Sequence, residues 1–177
     1  MATLRVPDTG ACLTNEGAIR QFLDERGIFY DRWPLDERVT PDASDADILA
    51  AYDPQLRPFM KQGGYRAVDV ITVTPQTPNL IALREKFIRE HTHTEDEVRL
   101  FVEGQGLFWF HLDRRGDEVF ALTCERDDVI SVPANTKHWF DLGLNPSVRA
   151  IRIFTDQSGW TPHYTNSGID QRYRNAA

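Results

Sequence analysis

The sequence feature that most constrains this chain is the stretch 87–112, where metal-capable side chains lie within a few residues of one another. His91, His93 and Glu97 are spaced at even offsets, and on an extended chain even offsets place side chains on one face. A helix would instead separate the two histidines by about 200°. Two imidazoles and a carboxylate are typical of an open divalent-metal site, although a His-x-His pair in an acidic loop can also be a solvated connection.

The residues that follow predict a β-hairpin. Residues 98–103 alternate as a half-buried strand does, Gly104-Gln105-Gly106 predicts a turn, and residues 107–112 predict the returning strand. The metal-capable residues would then lie at the mouth of this hairpin. His138, which follows the turn-forming residues 133–137, is a candidate fourth ligand.

These ligand types also limit the chemistry. Three neutral imidazoles and one carboxylate leave an octahedral Fe(II) or Ni(II) ion with open positions, which a bidentate oxygen ligand such as an enediolate can fill. Open positions favour catalysis, although a bound metal can also be structural. The same ligands serve Co(II) and Mn(II), so the sequence does not select the metal.

The remaining cysteines and histidines are not assigned to the predicted site. Cys12 and Cys124 are far apart in the sequence and predict neither a disulfide framework nor a zinc site. His111 and His163 belong to no ligand motif.

Two motifs of the sequence resemble the metal-binding motifs of the cupin superfamily. They are His91-x-His93-x-x-x-Glu97 with Gly104, and Pro133-x-Asn135-x-x-His138. A narrower resemblance, to the acireductone dioxygenases of methionine salvage, extends over most of residues 28 to 160. The stretches that carry it include Asp69-Val70, Leu83-Arg84-Glu85-Lys86-Phe87, Glu90-His91-Thr92-His93, Glu95-Asp96-Glu97-Val98-Arg99, His138-Trp139-Phe140, Ile151-Arg152-Ile153-Phe154 and Gly159-Trp160.

The resemblance implies a fold and an activity. The implied fold is a mainly β, cupin-type antiparallel barrel (jelly roll) with a few peripheral helices. The implied cofactor is one Fe(II) or Ni(II) per chain, held by His91, His93, Glu97 and His138. The implied substrates are 1,2-dihydroxy-3-keto-5-methylthiopentene and O2. In this family the iron form gives 4-methylthio-2-oxobutanoate and formate, and the nickel form gives 3-methylthiopropanoate, formate and carbon monoxide.

The resemblance also implies roles for two arginines. Arg99 corresponds to an arginine that helps to form and hold the substrate dianion; considered alone, it can also be a salt-bridging residue of the hairpin. Arg152 lies in the apolar run 148–154, where an unpaired charge is costly. We interpret it as a second cation of the pocket, and one half of a buried ion pair is the alternative.

Five further residues match family positions around the metal. Phe87, Phe140 and Trp160 correspond to aromatic residues that line the substrate pocket, although aromatic residues in a barrel are more often core. Glu90 and Asp96 correspond to acidic residues proposed to assist metal uptake. Orientation of the histidines, or simple solvation, is an equal interpretation of both.

The length, composition and charge of the chain limit its domain organisation and its partners. The chain has 177 residues, of which 41% are hydrophobic and 27% charged, which suits one soluble domain. We expect the barrel core at about residues 66–160 and a polar C-terminal tail at 164–177. A net charge of −7 argues against nucleic-acid and anionic-membrane partners. With no signal-peptide pattern and no long apolar run, we expect a cytoplasmic protein. The resemblance implies a monomer, although the residues themselves do not fix the oligomeric state.

Capping and breaker residues predict the remaining elements. Four helices are predicted. The first begins at Thr14 or Asn15 and ends at Gly27, and the second runs from Ser44 or Asp45 through Tyr52. The third runs from Asp53 to Gly63-Gly64, and the fourth spans Leu80 to Phe87. The predicted strands are 3–8, 28–33, 67–73, 118–123, 129–132 and 148–154.

Two other functions remain open. A cupin dioxygenase or isomerase with another substrate would keep the four ligands but would not need both Arg99 and Arg152. A non-catalytic ligand-binding cupin would more often lose a ligand or be joined to a DNA-binding domain.

Overall fold

The structure, a computed structural model, describes residues 1–35, 37, 39–143, 145–156 and 160–173. The strands are β1 (Thr3–Val6), β2 (Ala11–Leu13), β3 (Phe29–Arg32), β4 (Ala67–Val73), β5 (His91–Thr92), β6 (Glu97–Leu112), β7 (Glu118–Glu125), β8 (Asp128–Val132), β9 (Lys137–Asp141), β10 (Val148–Phe154) and β11 (His163–Tyr164). The helices are α1 (Glu16–Asp24), α2 (Asp45–Gly63), α3 (Leu80–Phe87) and α4 (Ile169–Tyr173). None of the helices in these ranges has the length and apolar character that a membrane span requires.

The long strand β6 belongs to two antiparallel sheets. Its first part pairs with β8 and β10, and β3 and β4 extend that sheet. Its second part pairs with β7 and β9, in the order β11-β5-β9-β6-β7-β1-β2. The predicted antiparallel β architecture of cupin type with few helices is confirmed. Strands β1 to β3 also belong to it, ahead of the expected barrel core at residues 66–160.

The predicted hairpin at residues 98–112 is wrong, because β6 runs through this region without a turn. Val102 is an extra residue opposite β10, which makes a β-bulge. Gly104 follows with φ of 71°, and a Cβ atom there would lie 1.6 Å from the Ser147 carbonyl oxygen. A Cβ atom at Gly106 would lie 2.4 Å from the Phe140 ring. The glycines therefore allow β6 to bend from one sheet to the other with close neighbours on both sides.

Helix α2 is continuous, whereas the sequence predicted two helices divided before Pro54. Pro54 and Pro58 lie inside it, and both are exposed. Each proline removes one helical hydrogen bond, but on the exposed side water can bind the carbonyl oxygens that are left free. The opposite side buries Ile48, Tyr52 and Leu56 in one apolar cluster with residues of β6, β8 and β10. Packing therefore keeps the two halves of the helix aligned.

Both faces of the first part of β6 are buried, for different reasons. Val98 and Leu100 pack in the cluster under α2. Phe101 belongs to the main core between the two sheets, together with the other large aromatic residues of the barrel interior. Because side chains alternate along a strand, Glu97 and Arg99 share the inner face with Phe101, so β6 places charged groups inside the barrel.

Residues 164–173, expected to be part of a polar surface tail, are instead folded onto the barrel. Strand β11 pairs with β5. In α4, Tyr173 is buried, its ring centroid lies 5.5 Å from that of Trp109, and its hydroxyl donates to Asp8 Oδ2 at 2.8 Å. Single contacts such as those of Tyr173 leave no periodic pattern in a sequence, so the sequence did not predict that this segment is folded. The expected tail residues 174–177 lie outside the described residues.

Substitution of Gly104 tests the bend in β6, and substitution of Gly116 serves as the comparison. Both have a positive φ, but a Cβ atom at Gly116 would have no atom within 4 Å. We expect Gly116→Ala to lower the free energy of unfolding by about 1–2 kcal/mol through the left-handed backbone alone. Gly104→Ala should lower it by roughly 1–3 kcal/mol more through the clash with Ser147. Urea denaturation of both variants measures the difference, and equal losses would contradict the close approach at Gly104.

Candidate metal centre

Four buried donor residues meet inside the barrel where β6 begins. His91 lies in β5, His93 follows that strand, Glu97 is the first residue of β6 and His138 lies in β9. None of the four residues is more than 2% exposed, and their donor atoms all lie within 4.8 Å of one another. The structure thus brings together the four residues singled out from the sequence, although at the start of β6 and not at the mouth of a hairpin.

Backbone pairing holds the two ligand-bearing segments together. His91 and His138 are directly opposite each other in the short β5–β9 ladder. In the turn before β9, Asn135 adopts φ of 62°, and its N–H group donates to the carbonyl oxygen of His93 at 2.8 Å. Asparagine tolerates this left-handed conformation better than most residues. The turn therefore fixes His138 relative to His93.

Each of the three imidazoles is oriented by a hydrogen bond from its Nδ1 atom to a backbone carbonyl. The acceptors are Arg89 O (2.6 Å from His91), Thr161 O (3.2 Å from His93) and Thr136 O (2.8 Å from His138). A carbonyl oxygen can only accept, so Nδ1 carries the proton in each ring. Each Nε2 atom then presents a lone pair, which is the tautomer that a metal requires.

The lone pairs face one another and a carboxylate. The Nε2 atoms of His91 and His93 are buried and have no hydrogen-bond partner within the described residues. Glu97 Oε2 lies 3.0 Å from His138 Nε2 and 3.1 Å from His93 Nε2. Buried acceptors without a donor are costly. One cation bound by all four groups would satisfy them, so the donor set fits a divalent metal.

Electrostatics keep the donors free of protons. Burial, reinforced by the nearby His138 ring, lowers the pKa of His91 to about 3. Burial alone would raise the pKa of Glu97, but the adjacent Arg99 guanidinium holds it well below its usual value. A metal ion at neutral pH therefore does not have to displace protons from these two donors.

Arg99 lies beside the donor group and not on the surface. Its Nη2 atom is 2.8 Å from Glu97 Oε1, and its Cζ atom is 4.2 Å from the centroid of the Phe140 ring. The residue is only 8% exposed. Burial lowers the pKa of Arg99, but a guanidinium stays protonated in proteins. The structure therefore places a permanent cation next to the candidate ligand Glu97.

Arg152 forms an ion pair. Its guanidinium makes two hydrogen bonds to Asp69 on the neighbouring strand β4, Nε to Oδ1 at 2.8 Å and Nη2 to Oδ2 at 2.7 Å. It is the direct partner of Arg99 in the β10–β6 ladder, and its Cζ atom lies 5.7 Å from the Trp160 ring centroid. The structure thus shows an ion pair, as in the alternative interpretation, but one that is only partly buried, with side chains 28% and 31% exposed. The role of Arg152 as a pocket cation stays a prediction.

Two of the three predicted pocket aromatics lie beside donor residues, and the third lies beside Arg99. The half-buried Phe87 ring lies 5.9 Å from the His91 ring, and the buried Trp160 ring lies 6.3 Å from the His93 ring, both measured between centroids. Phe140 covers Arg99. Together they form an apolar wall beside His91, His93 and Arg99.

The two predicted acidic residues both have hydrogen-bond partners within the protein, so neither is merely solvated, and their role at the metal centre stays a prediction. Asp96 accepts from the Tyr65 hydroxyl at 3.0 Å and from the Ala134 N–H group at 2.9 Å. Glu90 is buried and accepts from His111, Thr165 and Ser167.

His111, left out of the predicted site, therefore contacts Glu90, the residue that precedes the candidate ligand His91. It belongs to no ligand motif, so only its pairing with Glu90 in three dimensions reveals it.

Comparison with known proteins gives one consistent result. Residues 15–162 match the model of the ARD/ARD′ family. The chain is 52% identical over 174 residues to an acireductone dioxygenase of Picosynechococcus sp., covering 98% of each chain. It is 45% identical over 168 residues to one of Parvibaculum lavamentivorans, covering 94% of this chain and 90% of the relative. A solved structure of acireductone dioxygenase from Bacillus anthracis, with a cadmium ion in its active centre, matches with a TM-score of 0.83 at 36% identity, covering 93% of this chain and 98% of that one.

Removal of one imidazole tests the metal centre. We expect His93→Ala to lose bound divalent metal, because three donors remain and one position opens to water. The matched control is His163→Ala, since His163 is exposed on β11. Elemental analysis after dialysis against a low concentration of Ni(II) measures metal per chain. Full metal content in His93→Ala, equal to that of the control, would contradict the site.

Proposed function

Since the chain belongs to the ARD/ARD′ family, we propose that it is a metal-dependent dioxygenase that cleaves the acireductone 1,2-dihydroxy-3-keto-5-methylthiopentene with O2 in methionine salvage. The observation that carries the proposal is the convergence of three Nε2 lone pairs and one carboxylate beside a buried arginine. Imidazole and carboxylate ligands suit Fe(II) and Ni(II) alike.

His91, His93, Glu97 and His138 would hold the metal. When bound there, Fe(II) or Ni(II) supplies a Lewis acid that a chelating enediolate can bind through two oxygens. We propose that the iron-loaded protein yields 4-methylthio-2-oxobutanoate and formate, and that the nickel-loaded protein yields 3-methylthiopropanoate, formate and carbon monoxide.

Arg99 would hold the substrate as a dianion. One of its donors faces Glu97, while its Nε atom is buried and has no hydrogen-bond partner within the described residues. A buried N–H donor without a partner is costly, and a substrate oxygen would satisfy it. In a site with little water, a fixed positive charge stabilises a developing negative charge strongly. The geometry therefore supports Arg99 as the group that binds the deprotonated enediolate.

The apolar wall would position the rest of the substrate. Phe87, Phe140 and Trp160 offer apolar surface to a methylthioalkyl tail. Because the donors are no more than 2% exposed, a bound substrate would be shielded from water there. Exclusion of water strengthens the interaction between Arg99 and the dianion.

Product identity tests the proposed activity. We expect protein loaded with Fe(II), given acireductone without oxygen and then O2, to form the 2-oxo acid and formate. Protein loaded with Ni(II) should form carbon monoxide as well as formate. Mass spectrometry identifies the acids and gas chromatography detects carbon monoxide, with His93→Ala as the control. If metal is bound but acireductone is consumed no faster than in buffer, the substrate assignment fails.

The role of Arg99 is tested by Arg99→Lys, which keeps the positive charge but loses the planar guanidinium and its fixed N–H donors. We expect kcat/KM to fall by about 10²–10³-fold, as for loss of a donor that stabilises transition-state charge, with metal content unchanged. The matched control is Arg57→Lys, because the Arg57 side chain is 78% exposed on α2. Oxygen uptake with acireductone measures both variants. Activity at the wild-type level in metal-loaded Arg99→Lys would exclude the role.

A further inference from the structure

We propose that His111 is a positioning residue of the metal centre: through Glu90 it ties the segment that carries His91 to the central strand of the barrel. The proposal rests on the metal site proposed above. It concerns how the chain holds a ligand in place, and His111 itself does not touch the site.

His111 is held between two carboxylates. It lies in the second part of β6 and is 6% exposed. Its Nδ1 atom is 2.5 Å from Glu90 Oε1, and its Nε2 atom is 3.2 Å from Oδ1 of Asp117, whose side chain is 74% exposed. Carboxylate oxygens accept hydrogen bonds, so the ring can donate to the buried Glu90 through Nδ1, and Nε2 lies within hydrogen-bond distance of Asp117. Such charge-assisted hydrogen bonds are stronger than neutral ones.

Both carboxylate oxygens of Glu90 accept hydrogen bonds. Its second oxygen, Oε2, accepts from the hydroxyl groups of Thr165 and Ser167, which follow β11. The carboxylate therefore joins three donors from two separate parts of the chain.

The segment that carries His91 needs such support because its backbone pairing is short. Strand β5 has two residues and pairs with β9 only at His91↔His138 and with β11 at two positions. The His91 ring is itself oriented by the carbonyl oxygen of Arg89. The position of His91 therefore depends on how firmly residues 89 and 90 are held.

Most contacts that hold residues 89 and 90 come from the C-terminal segment. Thr165 N–H donates to the carbonyl oxygen of Glu90 at 3.2 Å, and Arg89 Nη2 donates to Asn166 Oδ1 at 3.1 Å. That segment is itself attached to the barrel edge. Among the side chains seen to bind Glu90, His111 alone comes from the long strand β6, which also carries Glu97. It therefore fixes one ligand-bearing segment relative to the strand that carries another ligand.

The test is the rate at which the Ni(II)-loaded full chain releases Ni(II) to an excess of chelator. We expect His111→Phe, which keeps a ring but loses both donors, to release Ni(II) about 10–100-fold faster, as for loss of residues that orient metal ligands. His111→Gln keeps one amide donor and should show a smaller increase. His163→Phe changes an exposed histidine and is the matched control.

A purely structural role would lower the urea midpoint of the metal-free protein and leave Ni(II) release unchanged. The proposal is overturned if His111→Phe folds and releases Ni(II) at the wild-type rate. If His111→Phe does not fold, Glu90→Gln decides, because it keeps the size of the side chain but removes the charged acceptor that His111 binds. Unchanged release from Glu90→Gln would then overturn the proposal. Wild-type protein that binds no Ni(II) would refute the metal site itself, whereas equal rates refute only the role of His111.

Discussion

Four buried acceptor groups that face one another are the constraint on which the rest of the structure depends. Three imidazoles present Nε2 lone pairs, and Glu97 presents a negative charge, all within 4.8 Å and away from water. This arrangement is unfavourable unless a cation binds all four groups. Binding of a metal ion by these four groups would therefore add to the stability of the folded chain.

Strand β6 makes the arrangement possible. Its inner face carries Glu97 and Arg99 into the barrel, while its outer face is covered by α2, so charged groups are buried without exposing the apolar side of the strand. Beyond the bend at Gly104 the same strand carries His111, which contacts Glu90 next to the candidate ligand His91. One strand thus supplies a candidate ligand, the cation beside it and a residue that we infer positions a second candidate ligand.

Much of the site could be predicted because its signals are local. The even offsets between His91, His93 and Glu97 are a property of the chain, as are the breakers that set the bounds of β4 and α3, which the sequence predicted correctly. The predicted hairpin was wrong because a glycine with positive φ suits a turn and a β-bulge equally. The feature that distinguishes the bulge is the close approach of the Ser147 carbonyl, which is distant in the sequence. His111 was missed because its partner is 21 residues away in the chain, and no local pattern reports such a contact.

The most direct test of the central claim is the X-ray absorption spectrum of the Ni(II)-loaded protein, recorded without oxygen before and after acireductone is added. We predict scattering from three imidazoles and further oxygen ligands, one of them from Glu97, with the imidazole contribution retained when the substrate binds. In His93→Ala the imidazole contribution should fall or the metal should be absent. A wild-type spectrum with fewer than three imidazoles, or one that acireductone leaves unchanged, would contradict a centre built from these four residues to bind this substrate.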